Sequence, residues 1–517
     1  MRSANTSRTS SGSGTPSRAR RKNNQVIWPP PPTTTNLPQP PPSTYSSAKL
    51  TQVFYRRAGL LMLHPKPVLL SPIDGEIQRL YFPALLALVL EPVQSLTDAV
   101  IVGRVGTPQL GALGIGTVAF QFVLGLFSVF IFATTTLVAE EENDSGRDVV
   151  GAPPTGDKTA IYKGTILAVA VGLVLQLAIA NLSPMAMHAI SSDPTVASLA
   201  DDYVRSRACA AVPALVMMVG VGAGRGYKDM WTPLVGSLAY GVSLAVFDAL
   251  FVWELHMGLR GAGYAAAISQ WVGAATVMWS LSKNGNLRWA DFASAKAVPT
   301  AESVSTYMRM AGPLALSGTA ALAPVLLSSS IATRLGPDQL AAHTVLRQIS
   351  LFWIQLFMGF NATAHSLVAS SLGKRTAQGV LEASRIMERI AYVAVATSIP
   401  LAAGLYASRA LLPLAFTDSP VVVDDVAGVL PLLLVFIPLD ALSLGLEGSI
   451  LGASDTGWIA RRAVGSSALS VFALELLALG GTGCSLWSIW AALKLLNVSI
   501  LGCDVARLAY PVRRRKG

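Results

Sequence analysis

Twelve long apolar stretches, separated by short polar segments, run through this 517-residue chain from about residue 80 to near its end. A helix needs about 20 apolar residues to cross the hydrocarbon core of a bilayer, and a longer stretch indicates tilt. The sequence therefore predicts an all-α polytopic membrane protein with about twelve transmembrane helices. The predicted spans are 80–103, 110–138, 160–183, 203–223, 232–254, 261–282, 306–333, 340–371, 388–408, 425–446, 458–479 and 484–508.

The scarcity of charge supports this fold class. Charged residues make up only 13% of the chain, whose mean hydropathy is +0.50, whereas a soluble domain has about 25% charged residues. The three cysteines are scattered, with no spacing typical of a metal site, and the histidines do not cluster. We therefore expect no metal site and no cofactor beyond a coupling ion. An integral membrane enzyme is a poor alternative, because no loop carries a catalytic or metal-binding motif.

A basic tail precedes the first span. Residues 1–73 contain ten Lys or Arg residues, and the first acid is Asp74. We predict that residues 1–75 are a disordered Ser/Pro-rich tail, since such a composition cannot form a core. The tail is either an organelle transit peptide or a cytosolic extension. Because the excess charge lies in this tail, we expect no nucleic-acid partner.

The distribution of basic residues predicts the orientation. On one side of the membrane, fifteen Lys or Arg residues lie in the loops or at their edges, and on the opposite side there are six. Both termini lie on the richer side, where residues 511–517 form a second basic tail. By the positive-inside rule this side faces the cytosol or stroma. The plastid envelope is one candidate membrane, and the plasma or vacuolar membrane is the alternative.

An internal repeat divides the spans into two halves. The segment 104–112 matches 334–342 at five of nine positions, and 226–229 resembles 452–455, so the offsets are 230 and 226 residues. Six spans separate the copies, so the halves have the same orientation. We predict bundles at 76–283 and 306–510, joined by a linker at 284–305. Such duplication is typical of secondary transporters, which bind solute between the halves.

Carboxylates inside the predicted spans are candidate ion-coupling residues, because a charge at mid-bilayer costs at least about 2.5 kcal/mol. They are Glu91, Asp98, Asp248, Asp440 and Glu447. Burial favours the protonated form of a carboxyl group, which suits proton coupling, although nearby hydroxyls leave Na⁺ as an alternative. Structural pairing is the other interpretation of each residue. It is the main expectation for three further charged residues, Arg347, Glu475 and Lys494.

Several segments resemble a known family. Residues 91–106 (EPVQSLTDAVIVGRVG) resemble the first-helix signature of multidrug and toxic compound extrusion (MATE) transporters, and look most similar to the DinF-like branch of bacteria and plastids. Further matches lie at 224–233, 258–270, 340–343 and 451–455, so the resemblance covers about 80–510. It implies two six-helix bundles that exchange H⁺ or Na⁺ for an organic solute.

The resemblance also implies roles for three acids. Asp98 takes the place of the first-helix proton acid, and Asp248 that of a fifth-helix aspartate. Asp440 falls where some members carry a coupling acid. The chain departs from the family at Leu244, where members often carry asparagine one turn before the fifth-helix aspartate.

Together these features predict a cation-coupled exporter that works by alternating access, with H⁺ favoured over Na⁺. Pro83 and Pro92 are the expected hinges of the first span. Candidate solute contacts are Arg347, Gln121 and Gln348. The solute is a drug or xenobiotic, or an organic anion such as citrate or a phenolic acid, and a lipid-linked saccharide flippase is the rival within related folds. We expect a monomer in the lipid bilayer.

Overall fold

The computed structural model describes residues 47–63, 71–105, 107–144, 159–190, 194–294, 297–415, 419–480 and 484–513. Their regular secondary structure consists of helices. The α-helices are α1 (Ser47–Leu63), α2 (Pro72–Gly103), α3 (Thr107–Gly125), α4 (Val129–Asp144), α5 (Ala160–Ile190), α6 (Pro194–Arg207), α7 (Ala211–Gly226), α8 (Trp231–Asp248), α9 (Gly258–Lys283), α10 (Ala301–Leu335), α11 (Pro337–Gly373), α12 (Ala377–Ala407), α13 (Pro420–Gly452), α14 (Thr456–Leu479) and α15 (Leu486–Arg513).

The predicted polytopic helical fold is confirmed. Within the described ranges, ten spans are long and apolar enough to cross a membrane. Helices α9 and α11, of 26 and 37 residues, are long enough but carry more polar side chains, such as Asn361. These two helices complete the predicted twelve. The second and fourth spans are each built from two helices, α3 with α4 and α6 with α7, the latter joined by a 3₁₀ turn at Ala208–Ala210.

The N-terminal tail contains a helix that the sequence reasoning missed. The prediction of disorder over 1–75 is wrong for α1, where Phe54, Tyr55 and Ala58 are buried, and for residues 72–75, which begin α2. Helix α1 packs against α12 and α15, so its short apolar face finds a partner far away in the sequence. The rest of that predicted tail before residue 71 lies outside the described residues. At the other end, α15 runs on through Arg513, past the predicted bundle end at residue 510.

Both halves use the same helix pairing. In the first half α2 packs on α8, α4 on α7, and α8 on α9; in the second, α10 packs on α14, α11 on α13, and α14 on α15. These are equivalent helices in two six-span units of the same direction, as the internal repeat predicts. Helix α2 is continuous through Pro83 and Pro92, and bending there stays a prediction.

The two halves meet at the Lys/Arg-rich face. Asp74 at the start of α2 forms a bidentate ion pair with Arg389 of α12, with both oxygen–nitrogen distances at 2.5 Å. Near the end of α4, the Asn143 amide donates to the Ser370 carbonyl at 2.8 Å. Deeper in, the Tyr81 ring stacks on a phenylalanine of α11, with centroids 4.1 Å apart. The structure is therefore closed at this face.

Candidate functional site

A pair of buried carboxyl groups lies between α2 and α8. Asp98 is 8% exposed and Asp248 is fully buried, and their side chains are neighbours. When both groups are ionised, both oxygens of Asp248 and Oδ1 of Asp98 have no hydrogen-bond donor within the described residues, whereas a proton on one group allows it to donate to the other. Buried polar groups are nearly always satisfied, so this pair is a candidate site for a proton or a bound cation. We call Asp98 and Asp248 the acid pair.

Local contacts hold α2 against α8 on both sides of the acid pair. The Gln94 side-chain amide donates to the Ser237 carbonyl at 3.0 Å, and Trp253 Nε1 donates to the Ile101 carbonyl at 3.2 Å. Immediately after Asp248 the chain forms a π-helical turn, Ala249–Glu254. π-helical turns are rare in proteins, and many of those that do occur lie at functional sites. The two carboxyl groups are thus held together by contacts that do not involve them.

One arginine lies beside the acid pair. Arg207, 8% exposed, donates from its guanidinium to the Tyr203 hydroxyl and lies 4.8 Å from the centroid of the Phe120 ring. Its charge acts on both Asp98 and Asp248. The sequence-based count of basic residues places Arg207 among the loop residues, although it lies near the start of the predicted fourth span, 203–223. The helical segment that continues from α6 into α7 instead carries it into the bundle. With two carboxylates and one guanidinium, the fully ionised cluster has a net charge of −1.

Aromatic hydroxyls and one apolar side chain complete these surroundings. The Tyr203 hydroxyl is also 3.2 Å from the Thr117 hydroxyl, and Tyr240 lies near both members of the acid pair. One turn before Asp248, Leu244 is 1% exposed. Unlike an asparagine, this leucine has no donor that could bind the Asp248 oxygens.

Glu91 is not part of the acid pair. It lies on α2 seven residues before Asp98, but it is exposed whereas Asp98 is buried. Residues seven apart lie on the same side of a helix, yet only Asp98 is buried between helices, and Glu91 remains accessible.

The second half contains a different polar cluster. The Lys494 ammonium of α15 donates to Asp440 Oδ2 at 2.7 Å, and the Trp353 indole donates to the same oxygen at 3.3 Å. The Asn497 amide donates to Asp440 Oδ1 at 2.6 Å. Asp440 and Lys494 are 3% and 4% exposed. The predicted structural role of Lys494 agrees with this ion pair.

Glu447 also has a cationic partner. Its Oε2 accepts from Arg462 at 2.8 Å, and the same guanidinium lies 3.0 Å from a carboxyl oxygen of Asp504, which is fully buried. Trp458 Nε1 donates to the other oxygen of Asp504 at 3.0 Å. Sequence reasoning missed Asp504, whose burial depends on the packing of α15 and has no local sequence signal. Asp440 and Glu447 thus belong to separate ion-pair clusters.

The candidate solute contacts are not assembled into one site. Arg347, Gln348 and Gln121 are exposed. In the described part of the chain, no hydrogen bond or ion pair joins them to each other. The two glutamines lie on α3 and α11, in different halves.

Comparison with known proteins decides the family. The MatE family model matches residues 83–251 and 313–476, which is one segment in each half and well over half the chain. This chain is a member of the MATE family. An Arabidopsis thaliana protein, DETOXIFICATION 44, chloroplastic, is similar, with 31% identity over 402 residues that cover 76% of this chain and 74% of that protein.

Bacterial relatives and solved structures agree with this MATE assignment. A probable multidrug resistance protein NorM of Synechococcus is 26% identical over 396 residues, covering 73% of this chain and 80% of that protein. A crystal structure of MATE in the bent conformation superposes with a TM-score of 0.75 at 18% identity, covering 92% of this chain and 98% of that one. The chain is therefore a multi-pass efflux transporter of the lipid bilayer, and not an enzyme.

Proposed function

We propose that this MATE transporter exports an organic solute in exchange for protons, and that the acid pair is the coupling site. The observation that carries the proposal is two adjacent buried carboxyl groups with three unsatisfied oxygens. Two carboxylates this close in a site of low dielectric repel each other strongly, so the pair is stabilised when a proton binds to it. Arg207 offsets one negative charge, and a single proton neutralises the remaining one.

The surroundings favour a proton over a sodium ion. A hard cation takes a shell of several oxygen ligands, whereas a proton needs one carboxyl oxygen and an acceptor. Leu244 contributes no oxygen next to Asp248. Within the described residues, no group of three or more His, Cys, Asp and Glu side chains gathers as a metal site would. The acid pair offers two carboxyl groups and an arginine, which fits proton uptake and release.

The cycle that we propose starts from a state closed at the Lys/Arg-rich face. Protonation of the acid pair from the opposite side removes the repulsion between α2 and α8. Helix α2 then bends at Pro83 and Pro92, where backbone donors are missing, and the solute is expelled. Deprotonation at the Lys/Arg-rich face resets the helix. The proton shifts this equilibrium only by binding the two states with different affinity.

Transport in proteoliposomes with an imposed pH gradient tests the coupling. We expect Asp98→Asn and Asp248→Asn each to abolish gradient-driven efflux while the protein stays folded. Glu475→Gln is the matched control, because Glu475 is an exposed acid on α14, the repeat equivalent of α8. Efflux by Asp98→Asn at the wild-type rate would remove the acid pair from the mechanism. A sodium gradient in place of the pH gradient, with the same variants, distinguishes the two ions.

A carboxylate-bearing solute is favoured by one observation. Arg347 on α11 is exposed and forms no ion pair among the described residues. Its guanidinium is available to bind a carboxylate in a bidentate manner. In the same vesicles, Arg347→Gln should reduce the transport of organic anions by about tenfold and leave that of organic cations unchanged. Equal loss for both classes would exclude a specific role in anion binding.

We further propose the plastid envelope as the membrane. Three Arabidopsis relatives carry the word chloroplastic in their names, and residues 1–46 have the basic, acid-free composition of a transit peptide. Because α1 is packed into the protein, cleavage should occur before Ser47. A fluorescent reporter fused to residues 1–46 should therefore enter plastids as efficiently as one fused to residues 1–75. Cytosolic fluorescence from both fusions would refute the plastid address.

A further inference from the structure

The two halves pair their helices alike but differ in their buried charges. The first half has the acid pair and one arginine, a net charge of −1 when all are ionised. In the second half, Arg462 lies between Glu447 and Asp504, whereas Asp440 is buried against Lys494 as a pair with a net charge of zero. A cation that binds at the acid pair neutralises the net negative charge of that cluster. At Asp440, the side chain of Lys494 already neutralises the carboxylate.

Hydrogen bonding shows the same contrast. Both Asp248 oxygens lack partners, whereas each Asp440 oxygen accepts at least one hydrogen bond, from Lys494, Trp353 or Asn497. The Lys494 ammonium also lies 5.7 Å from the centroid of the Trp353 ring and 5.9 Å from that of Phe436. Aromatic faces attract cations. The ammonium thus lies in a site where a carboxylate and two aromatic rings favour a positive charge. The groups that form this site come from three helices, α11, α13 and α15.

We propose that Lys494 is a tethered cation that fills the carboxylate site at Asp440, so that this site takes up no coupling ion during the transport cycle. The inference rests on the proposed proton coupling through the acid pair and adds that the Asp440 cluster is silent. A second cation about 4 Å from the ammonium, at an effective dielectric constant of about 20, would bind roughly a thousandfold more weakly. Lys494 therefore determines how many ions one transport cycle moves.

Removal of the lysine charge should expose a cation site. In Lys494→Met, Asp440 loses its partner and becomes an uncompensated buried carboxylate, which binds a cation or a proton to regain balance. We expect this variant, in detergent at pH 8.5, to bind about one ²²Na⁺ more per protein than wild type. The extra binding should vanish in the double variant Lys494→Met/Asp440→Asn. Lys494→Arg keeps the charge and should show no gain.

Wild-type protein supplies the opposing test. If wild type binds ²²Na⁺ in a manner that Asp440→Asn abolishes, the site accepts an external ion and the proposal is wrong. It is also wrong if folded Lys494→Met gains no cation or proton binding relative to wild type. Proton binding is measured as proton uptake on acidification of unbuffered protein, so a site that prefers H⁺ to Na⁺ is detected as well.

The double variant keeps the proposal testable if Lys494→Met does not fold. Methionine beside asparagine replaces the ion pair with two neutral side chains, and a buried ion pair tolerates such joint replacement. We expect Lys494→Met/Asp440→Asn to transport solute with the wild-type number of protons per solute, measured from the pH gradient that balances a known solute gradient. A folded double variant that has lost coupling refutes the proposal that the Asp440 cluster is silent. Loss of coupling in Asp98→Asn is independent of this result, so failure of the acid-pair mechanism and failure of the tethered cation are distinguished.

Discussion

Arg389 stabilises the closed state, and its removal should open the Lys/Arg-rich face. The guanidinium makes two hydrogen bonds of 2.5 Å to Asp74, with side chains 11% and 15% exposed. Mutation of Asp74 would also remove its cap on the first turn of α2, where it accepts from the Ser71 backbone at 2.9 Å. Arg389→Gln leaves that cap intact. It is therefore the cleaner perturbation of the contact between halves.

The expected effect follows from the geometry. A hydrogen bond to a charged group contributes about 1.5–3 kcal/mol, and partial exposure places the pair at the lower end, about 2 kcal/mol. Since about 1.4 kcal/mol is a factor of ten, Arg389→Gln should raise the population open at this face about 30-fold. Deuterium exchange should then become faster in the peptides that hold Asn143 and Ser370, whose direct contact breaks on opening.

The matched control is an ion pair within one half. Lys228 and Glu76 lie 3.1 Å apart, both in the first half and near the same face. Lys228→Gln should leave exchange at the Asn143 and Ser370 contact unchanged, and Arg389→Lys should give an intermediate rate because lysine cannot form the bidentate pair. If Arg389→Gln and Lys228→Gln give the same exchange, the pair does not hold the halves together.

Two stability predictions test the packing. A Cβ added at Gly448 would lie 2.2 Å from the Asn361 carbonyl oxygen, whereas one at Gly428 meets no atom within 4 Å. Gly448→Ala should therefore lower the free energy of unfolding by about 1–3 kcal/mol. The melting temperature in detergent should fall for Gly448→Ala and stay unchanged for Gly428→Ala. The Tyr55 hydroxyl donates to Asp455 at 3.1 Å, and burial together with that carboxylate raises the pKa of Tyr55, so the phenol stays a donor. Tyr55→Phe should therefore destabilise the docking of α1 by about 1.5 kcal/mol, measured as faster proteolysis within α1, and unchanged proteolysis would show that the hydrogen bond is dispensable.

Much of the fold could be predicted because the bilayer restricts the chain to a few solutions. Backbone groups in hydrocarbon must be satisfied within the chain, so twelve apolar stretches give helical spans. Asp98 and Asp248 could be singled out for a related reason, since buried charge inside a span is expensive. Their contact with each other could not, because residue spacing fixes positions on one helix and not the pairing of α2 with α8.

The rest of the charged interior depends on tertiary packing. Arg207 lies near the start of the predicted fourth span, and its place inside the bundle becomes evident only because α6 and α7 form one span. Asp504 near the end of α15 is buried against Arg462 and Trp458, which come from another helix. For Asp440 the sequence predicted coupling, but the structure pairs it with Lys494 from another helix. Helix α1 was missed for the same reason, as its buried face is too short to predict without its partner.

The docking of α1 has a mechanical consequence. Helix α1 is anchored on α12 and α15 of the second half, yet only eight residues, 64–71, lead from its end to Pro72 at the start of α2 in the first half. A chain extends at most about 3.5 Å per residue, so this connection cannot exceed about 30 Å. The connection therefore links the two halves. Its maximum length limits how far apart the halves can move at the Lys/Arg-rich face while α1 stays docked.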